Sequence, residues 1–191
     1  MPHSIARSAP DQNPNVAIRL VGDDAHQPVR YFVYADVMSE LLFSANAEPQ
    51  AAFAILRGNF GLDDDGGFVE VTGFSGFEAS DEADVYLSVR KASDAVILTE
   101  AGIARAEDLL LENRAVMSES GAIVGLFVSE RGGNAEMTEA HAFLHYSLFN
   151  VPFQALVVFD PDTRDLAMYA RPPKGRFENM AFRWVTPAHR A

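Results

Sequence analysis

Apolar and polar positions alternate in short blocks along this chain, as they do where strands and helices succeed one another. VAIRLV (Val16–Val21) and VRYFVY (Val29–Tyr34) are dense in β-branched and aromatic residues. They flank GDDAHQP, a turn-rich segment, and so predict a β-hairpin. In the stretch after Asp36, VMSELLFSANA, the residues Val37, Leu41 and Leu42 share one face. That spacing predicts a helix capped by Asp36 and closed by Pro49. AAFAILRGNF reads as a buried strand, with Gly58 and Gly61 opening a turn before the acidic LDDDGG. FVEVTGF, where Phe68 alternates with Glu70, predicts the next strand, and VYLSVRK (Val85–Lys91) another.

From Thr99, EAGIARAEDLLLENRAVM places Ile103, Ala106 and Leu110 at helical spacing with charges opposite. AIVGLFV (Ala122–Val128) is a continuous apolar run, the pattern of a strand covered on both faces. Glu136 to Phe149 returns to helical spacing through Met137, Ala140, Leu144 and Leu148. FQALVVFD (Phe153–Asp160) predicts a second covered strand, and LAMYA and MAFRWV the closing ones. This order predicts one α/β sandwich, a mixed central β-sheet flanked by helices. The loop SERGGN, between a covered strand and a helix, lies where such folds commonly place ligands.

Composition narrows the field. The 191 residues suit a single well-cored domain, and the formal net charge of −12 would repel a polyphosphate backbone, so nucleic acid is not expected as a partner. There is no cysteine, which removes disulfides, thiolate metal sites and cysteine nucleophiles. No segment has the apolar length of a membrane span, and MPHSIARSAPDQNPN lacks the apolar core of a secretory signal. The expectations are a cytoplasmic protein, no membrane association, and a disordered leader over residues 1–15. The basic residues near the C-terminus (Arg171, Lys174, Arg176, Arg183, Arg190) read as a solvated strand edge.

Candidate chemistry centres on Gly125–Asn134 and the helix after it. His141 and His145 stand at i and i+4, a spacing that can set two imidazoles on one metal, with Glu130 and Glu136 nearby. The zincin pattern would need glutamate after the first histidine, whereas HAFLH carries Ala142 there. The competing reading is one partly buried histidine and one surface histidine. Ser129 lacks a G-x-S-x-G elbow, and the Gly132-Gly133 pair lacks the lysine of a phosphate cradle. None of this establishes an enzyme.

Element order and loop together resemble the MPN (JAB/Mov34) domain family, whose active JAMM members are zinc isopeptidases. In that family an apolar strand ends in G-x-x-H-S-H-P. Six residues then lead to S-x-x-D on the next helix, and a V-D-P strand follows. Here Gly125-Leu126-Phe127 matches the run-in, Ser129 the serine between the histidines, Thr138 the helix serine, and ALVVFDP (Ala155–Pro161) the later strand. AEPQAAFAILRGNF matches the glutamate-bearing strand, with Gly58 as its closing glycine, and VEVTGF matches the strand after it. The resemblance runs from about Ala35 to Val185.

The departures fall on the chemistry. The two metal histidines correspond to Val128 and Glu130, the following proline to Arg131, the aspartate ligand to His141, and the general-base glutamate to Ala51. The resemblance therefore implies a single MPN/JAB-like domain at 35–191, a cytidine-deaminase-like sandwich, preceded by a hairpin extension at 16–34. It implies a degenerate member with no cofactor that acts as a non-catalytic scaffold for protein partners, another MPN domain or a second copy of itself. Glu130, His141 and His145 are the weak metal candidates, and Glu130 could pair with Arg131 or His141 in place of a metal. Two alternatives remain: a divergent metal-dependent isopeptidase or peptidase with a rebuilt site, and a regulatory module binding a small ligand in the vacated pocket. The helix Asp36–Ala47, with Leu41, Leu42 and Phe43, and the acidic segment Glu78–Asp84 are candidate partner surfaces.

Overall fold

The structure, a computed structural model, describes residues 7–49, 51–79, 89–92, 95–98, 122–149, 151–172 and 175–187. A 3-10 turn at Pro10–Gln12 leads into β1 (Val16–Val21), β2 (Val29–Tyr34) and α1 (Ala35–Ala47). There follow β3 (Ala52–Asp63), β4 (Gly66–Ala79), β5 (Val89–Ala92), β6 (Ala95–Leu98) and β7 (Ala122–Ser129). Helix α2 (Glu139–Leu148) precedes β8 (Ala155–Asp160), β9 (Asp165–Ala170), β10 (Glu178–Asn179) and β11 (Phe182–Pro187). Nine strands form one mixed sheet in the order β1-β11-β2-β4-β3-β7-β8-β9-β10, and β5 and β6 pair separately.

The sheet must curl. β10 pairs with β9 at one edge, yet after Met180 and Ala181 the chain enters β11, which pairs with β1 and β2 near the other edge. In a flat sheet β10 and β11 would lie seven strand spacings apart, roughly 34 Å. The three residue steps from Asn179 to Phe182 span at most about 11 Å. A sheet rolled into a half-barrel brings those edges together, and the Met180 amide, donating to the Met168 carbonyl at 2.7 Å, extends the β9–β10 pairing up to the crossing.

Inside the curl lies the main core: Tyr31 and Val33 from β2, Leu56, Val69 and Val71 from β3 and β4, Phe127, Phe159 and Met168 from β7 to β9, and Phe182 from β11. Helix α1 presents Val37, Met38, Leu41 and Ala45 to this cluster. The outer face of β3, β7 and β8 carries Phe53, Ile55, Leu126, Val128, Leu156 and Val158, packed with Phe143 and Phe149 of the α2 region. A third cluster sets Ala9 against Phe32, Phe68 and Val185.

Several expectations need correction. The sandwich of a sheet flanked by helices gives way to a mostly β architecture, a half-barrel that holds α1 within its curvature. Five of the eight strand pairings in the sheet are antiparallel, and the two-residue link between β10 and β11 forces closure. β1 and β2 form no hairpin extension, because β11 lies between them and makes both part of the main sheet. From Arg7 onward the expected leader is built into the fold, with Ala9 only 1% exposed. Gly58 and Gly61 open no turn; β3 runs through both to Asp63. Arg183 lies on the inserted strand rather than an edge and pairs with Asp24.

Leu41 is fully buried and Leu42 packs on the core, while Phe43 stands 78% exposed. The helix expected after Thr99 and most of the acidic segment Glu78–Asp84 lie outside the described residues. Among the described residues no helix is long and apolar enough to cross a membrane.

Candidate functional site

The positions singled out by the resemblance converge at one end of β7. Strands β3 and β7 run antiparallel with Ala52 opposite Ser129, so Ala51 and Glu130 leave the sheet side by side. Residues alternate faces along a strand. Val128 and Glu130 therefore point outward toward α2, and Ser129 points into the curl beside Phe127. Ser129 is fully buried, and its Oγ has no hydrogen-bond partner among the described residues. Val128 lies wholly within the hydrocarbon of the outer cluster.

Helix α2 begins at a capping box that the sequence reading missed. Thr138 Oγ1 accepts the His141 amide at 3.2 Å, and His141 Nδ1 accepts the Thr138 amide at 3.3 Å. The motif usually puts glutamate or glutamine at the second position, and here the imidazole serves instead. Because Nδ1 accepts, the neutral ring carries its proton on Nε2, 2.9 Å from Glu130 Oε2. That hydrogen bond holds the Glu130 carboxyl below its usual range. Both nitrogens of His141, itself only 4% exposed, are thus engaged within the protein.

Arg131 turns away from this pair. Its guanidinium meets Asp162 and donates to the carbonyls of Asn46 and Glu48, at 3.3 and 2.9 Å, at the C-terminal end of α1. A cation there complements the helix dipole. The loop backbone is held by Asp160, which is fully buried. Burial opposes the Asp160 charge, yet backbone N–H groups of Asp162, Asn134, Gly132 and Thr163 hold its carboxyl below the usual range. The Asn134 and Asp162 contacts are 2.8 Å each. The loop needs such an anchor, because Asn134 and Ala135 both adopt left-handed backbone, at φ 51° and 54°. Sequence alone marked Asp160 only as the end of a covered strand and the aspartate of the V-D-P match.

His145 belongs to a different environment. It is 2% exposed, so it is not the surface histidine expected from the helical wheel. Phe149 and Phe177 pack on its ring at 5.0 and 4.9 Å between centroids. Its Nε2 donates to the Gln154 carbonyl at 3.1 Å, and its Nδ1 has no partner among the described residues. Burial pushes its pKa down to about 4, aided by the charge of Arg171 and opposed by the Gln154 carbonyl.

Tested as a zinc site, this end does not fit. Val128 and Ala51 offer no donor atom, His141 spends Nε2 on Glu130 and Nδ1 on its own helix cap, and His145 is bonded elsewhere. The described residues contain no group of three or more His, Asp or Glu placed to hold a metal ion. Two ligands that satisfy each other fall short of the three protein ligands a catalytic zinc requires.

No family model matches the chain, and no curated protein matches it. Among solved structures it is similar to the solution structure of protein DSY2949 from Desulfitobacterium hafniense, with 14% identity and a TM-score of 0.45. The match covers 78% of this chain and 89% of that one, and it is too distant to bring function across.

Proposed function

We propose that this chain is a non-catalytic, MPN-like interaction domain in which the region of a metal site has become a structural joint. The observation that carries the reading is the Glu130–His141 contact at 2.9 Å. Two positions that the resemblance assigns to metal ligands, eleven residues apart in sequence, meet in space and neutralise each other's bonding capacity. Around them Val128 supplies packing, Arg131 ties the loop to α1, and Thr138 and His141 start α2. Each of these side chains has a structural task, and among the described residues at this end none is placed as an oriented base. Protein partners are the remaining use of such a domain, and Phe43 on α1 is a large apolar side chain open to them.

The reading is tested by incubating the purified protein with ubiquitin-like isopeptide substrates and unfolded peptides, with added zinc and with chelator. No turnover above the buffer blank is expected in either condition. Cleavage abolished by chelator and by Glu130→Ala would establish the divergent-hydrolase alternative instead.

A further inference from the structure

A cleft of about 870 Å³ opens between the N-terminal segment and the outer face of the sheet, near Asn13, Asn15, Val16, Tyr34, Glu70 and Pro187. It falls within the range of about 300–1,000 Å³ usual for small-molecule sites. It is distinct from the Glu130–His141 end: along β3, Ala52 stands beside Ser129 whereas Asn59 stands beside Glu70, roughly 20 Å further on.

Glu70 is only 2% exposed and sits among the apolar side chains of the sheet's outer face. A carboxylate withdrawn from water needs compensating donors. Among the described residues three reach it, unequally. Arg7 Nη1 lies 3.1 Å from Oε2, the Asn59 amide 3.4 Å from Oε2, and the Tyr34 hydroxyl 3.5 Å from Oε1. The Arg7 contact is an ion pair through one nitrogen and one oxygen, not the two parallel bonds a guanidinium can make, and the other two are long hydrogen bonds. The Arg7 side chain is itself 47% exposed. Among the described residues, the buried carboxyl group is thus met by one half-exposed arm residue and two long hydrogen bonds.

We propose that Glu70, with Asn59 and Tyr34, forms a cation subsite for a guanidinium-bearing small molecule, and that Arg7 is its built-in occupant. An incoming guanidinium would displace Arg7 and engage both Glu70 oxygens, its remaining atoms lying in the cleft. The net charge of −12 favours the approach of a cation. The arm need not unfold for the exchange. Asp63 pairs with Arg30 and accepts from the Ala9 amide at 3.3 Å and from Gln12 at 3.2 Å. The arm therefore stays fixed two residues beyond Arg7 while that side chain swings out. This inference stands on residues other than those of the proposed scaffold function, and neither depends on the other.

The test uses methylguanidinium at millimolar concentration and constant ionic strength, with tetramethylammonium as a cation that cannot donate hydrogen bonds. In Arg7→Ala the subsite is vacated, and a saturable rise in Tm of about 4 °C is expected for ligand at tenfold its Kd. The wild type should respond less, because Arg7 competes, and Arg7→Ala/Glu70→Gln should not respond. Equal responses in all three proteins, no response in Arg7→Ala, or the same response to tetramethylammonium would each overturn the proposal. Amide shifts of Asn59 and Glu70 in the wild type, followed by NMR at higher methylguanidinium, give a readout independent of how the variants fold. Shifts at these residues are expected, and their absence would count against the site.

Discussion

Gly58→Ala is expected to cost at least about 3 kcal/mol, a large share of the roughly 5–15 kcal/mol that keeps a domain folded, whereas Gly73→Ala should leave stability unchanged or raise it by up to about 1 kcal/mol. Both glycines are interior to strands, and their consequences differ because their surroundings do. A Cβ on Gly58 would stand 1.7 Å from the Glu70 carbonyl oxygen and 2.8 Å from its carbon, backbone atoms held in the β3–β4 ladder. Relief would require separating the two strands where the register already shifts between Arg57 and Gly58. At Gly73, no atom of the described residues beyond its chain neighbours lies within 4 Å of an added Cβ. Alanine there only restricts the unfolded chain and suits an extended backbone. Urea unfolding of the two variants beside wild type decides the matter. Equal small effects would mean that the strands do not approach at Gly58 as described.

The second large effect is a pH dependence assigned to His145. Its pKa is about 4 in the folded protein against 6.5 for the ordinary side chain. Below pH 6.5 the unfolded chain takes up a proton that the folded chain refuses. The stabilisation is therefore complete above about pH 6.5, falls as the pH drops toward 4, and is spent below that. A shift of this size corresponds to about 3 kcal/mol. Urea unfolding between pH 7.5 and 4.5 should show most of this loss in wild type and not in His145→Phe. The phenyl ring can occupy the space beside Phe149 and Phe177 but cannot titrate. Other groups that titrate in the same interval act in both proteins and cancel in the difference. Parallel pH profiles for the two would contradict the buried, neutral histidine.

The strands were legible where one residue pattern governed them. AIVGLFV and FQALVVFD became β7 and β8, buried from Val124 onward in the first and throughout Ala155–Asp160 in the second, because a continuous apolar run suits a strand covered on both faces. What escaped was pairing at long range. That β11 would enter between β1 and β2 depends on closure of the sheet, and nothing within Val16–Tyr34 encodes it. The mid-strand glycines misled for the same reason: glycine signals a turn or a close approach equally well, and only the partner strand distinguishes them. At the candidate site, helical spacing set His141 and His145 on neighbouring faces, but their fates were decided by Glu130, Gln154 and Phe177, which other elements supply. The capping role of His141 was hidden because a histidine replaces the usual acidic or amide residue of that motif.

The central claim is that Glu130 and His141 complete each other and leave nothing for a metal. The most direct measurement is zinc content after the purified protein is equilibrated with excess zinc at pH 7.5 and dialysed, paired with NMR of the His141 ring nitrogens before and after. The account predicts less than about a tenth of an equivalent of zinc per chain, with the His141 Nε2–H signal unchanged. One equivalent of zinc that displaces that proton and disappears in Glu130→Ala would contradict it.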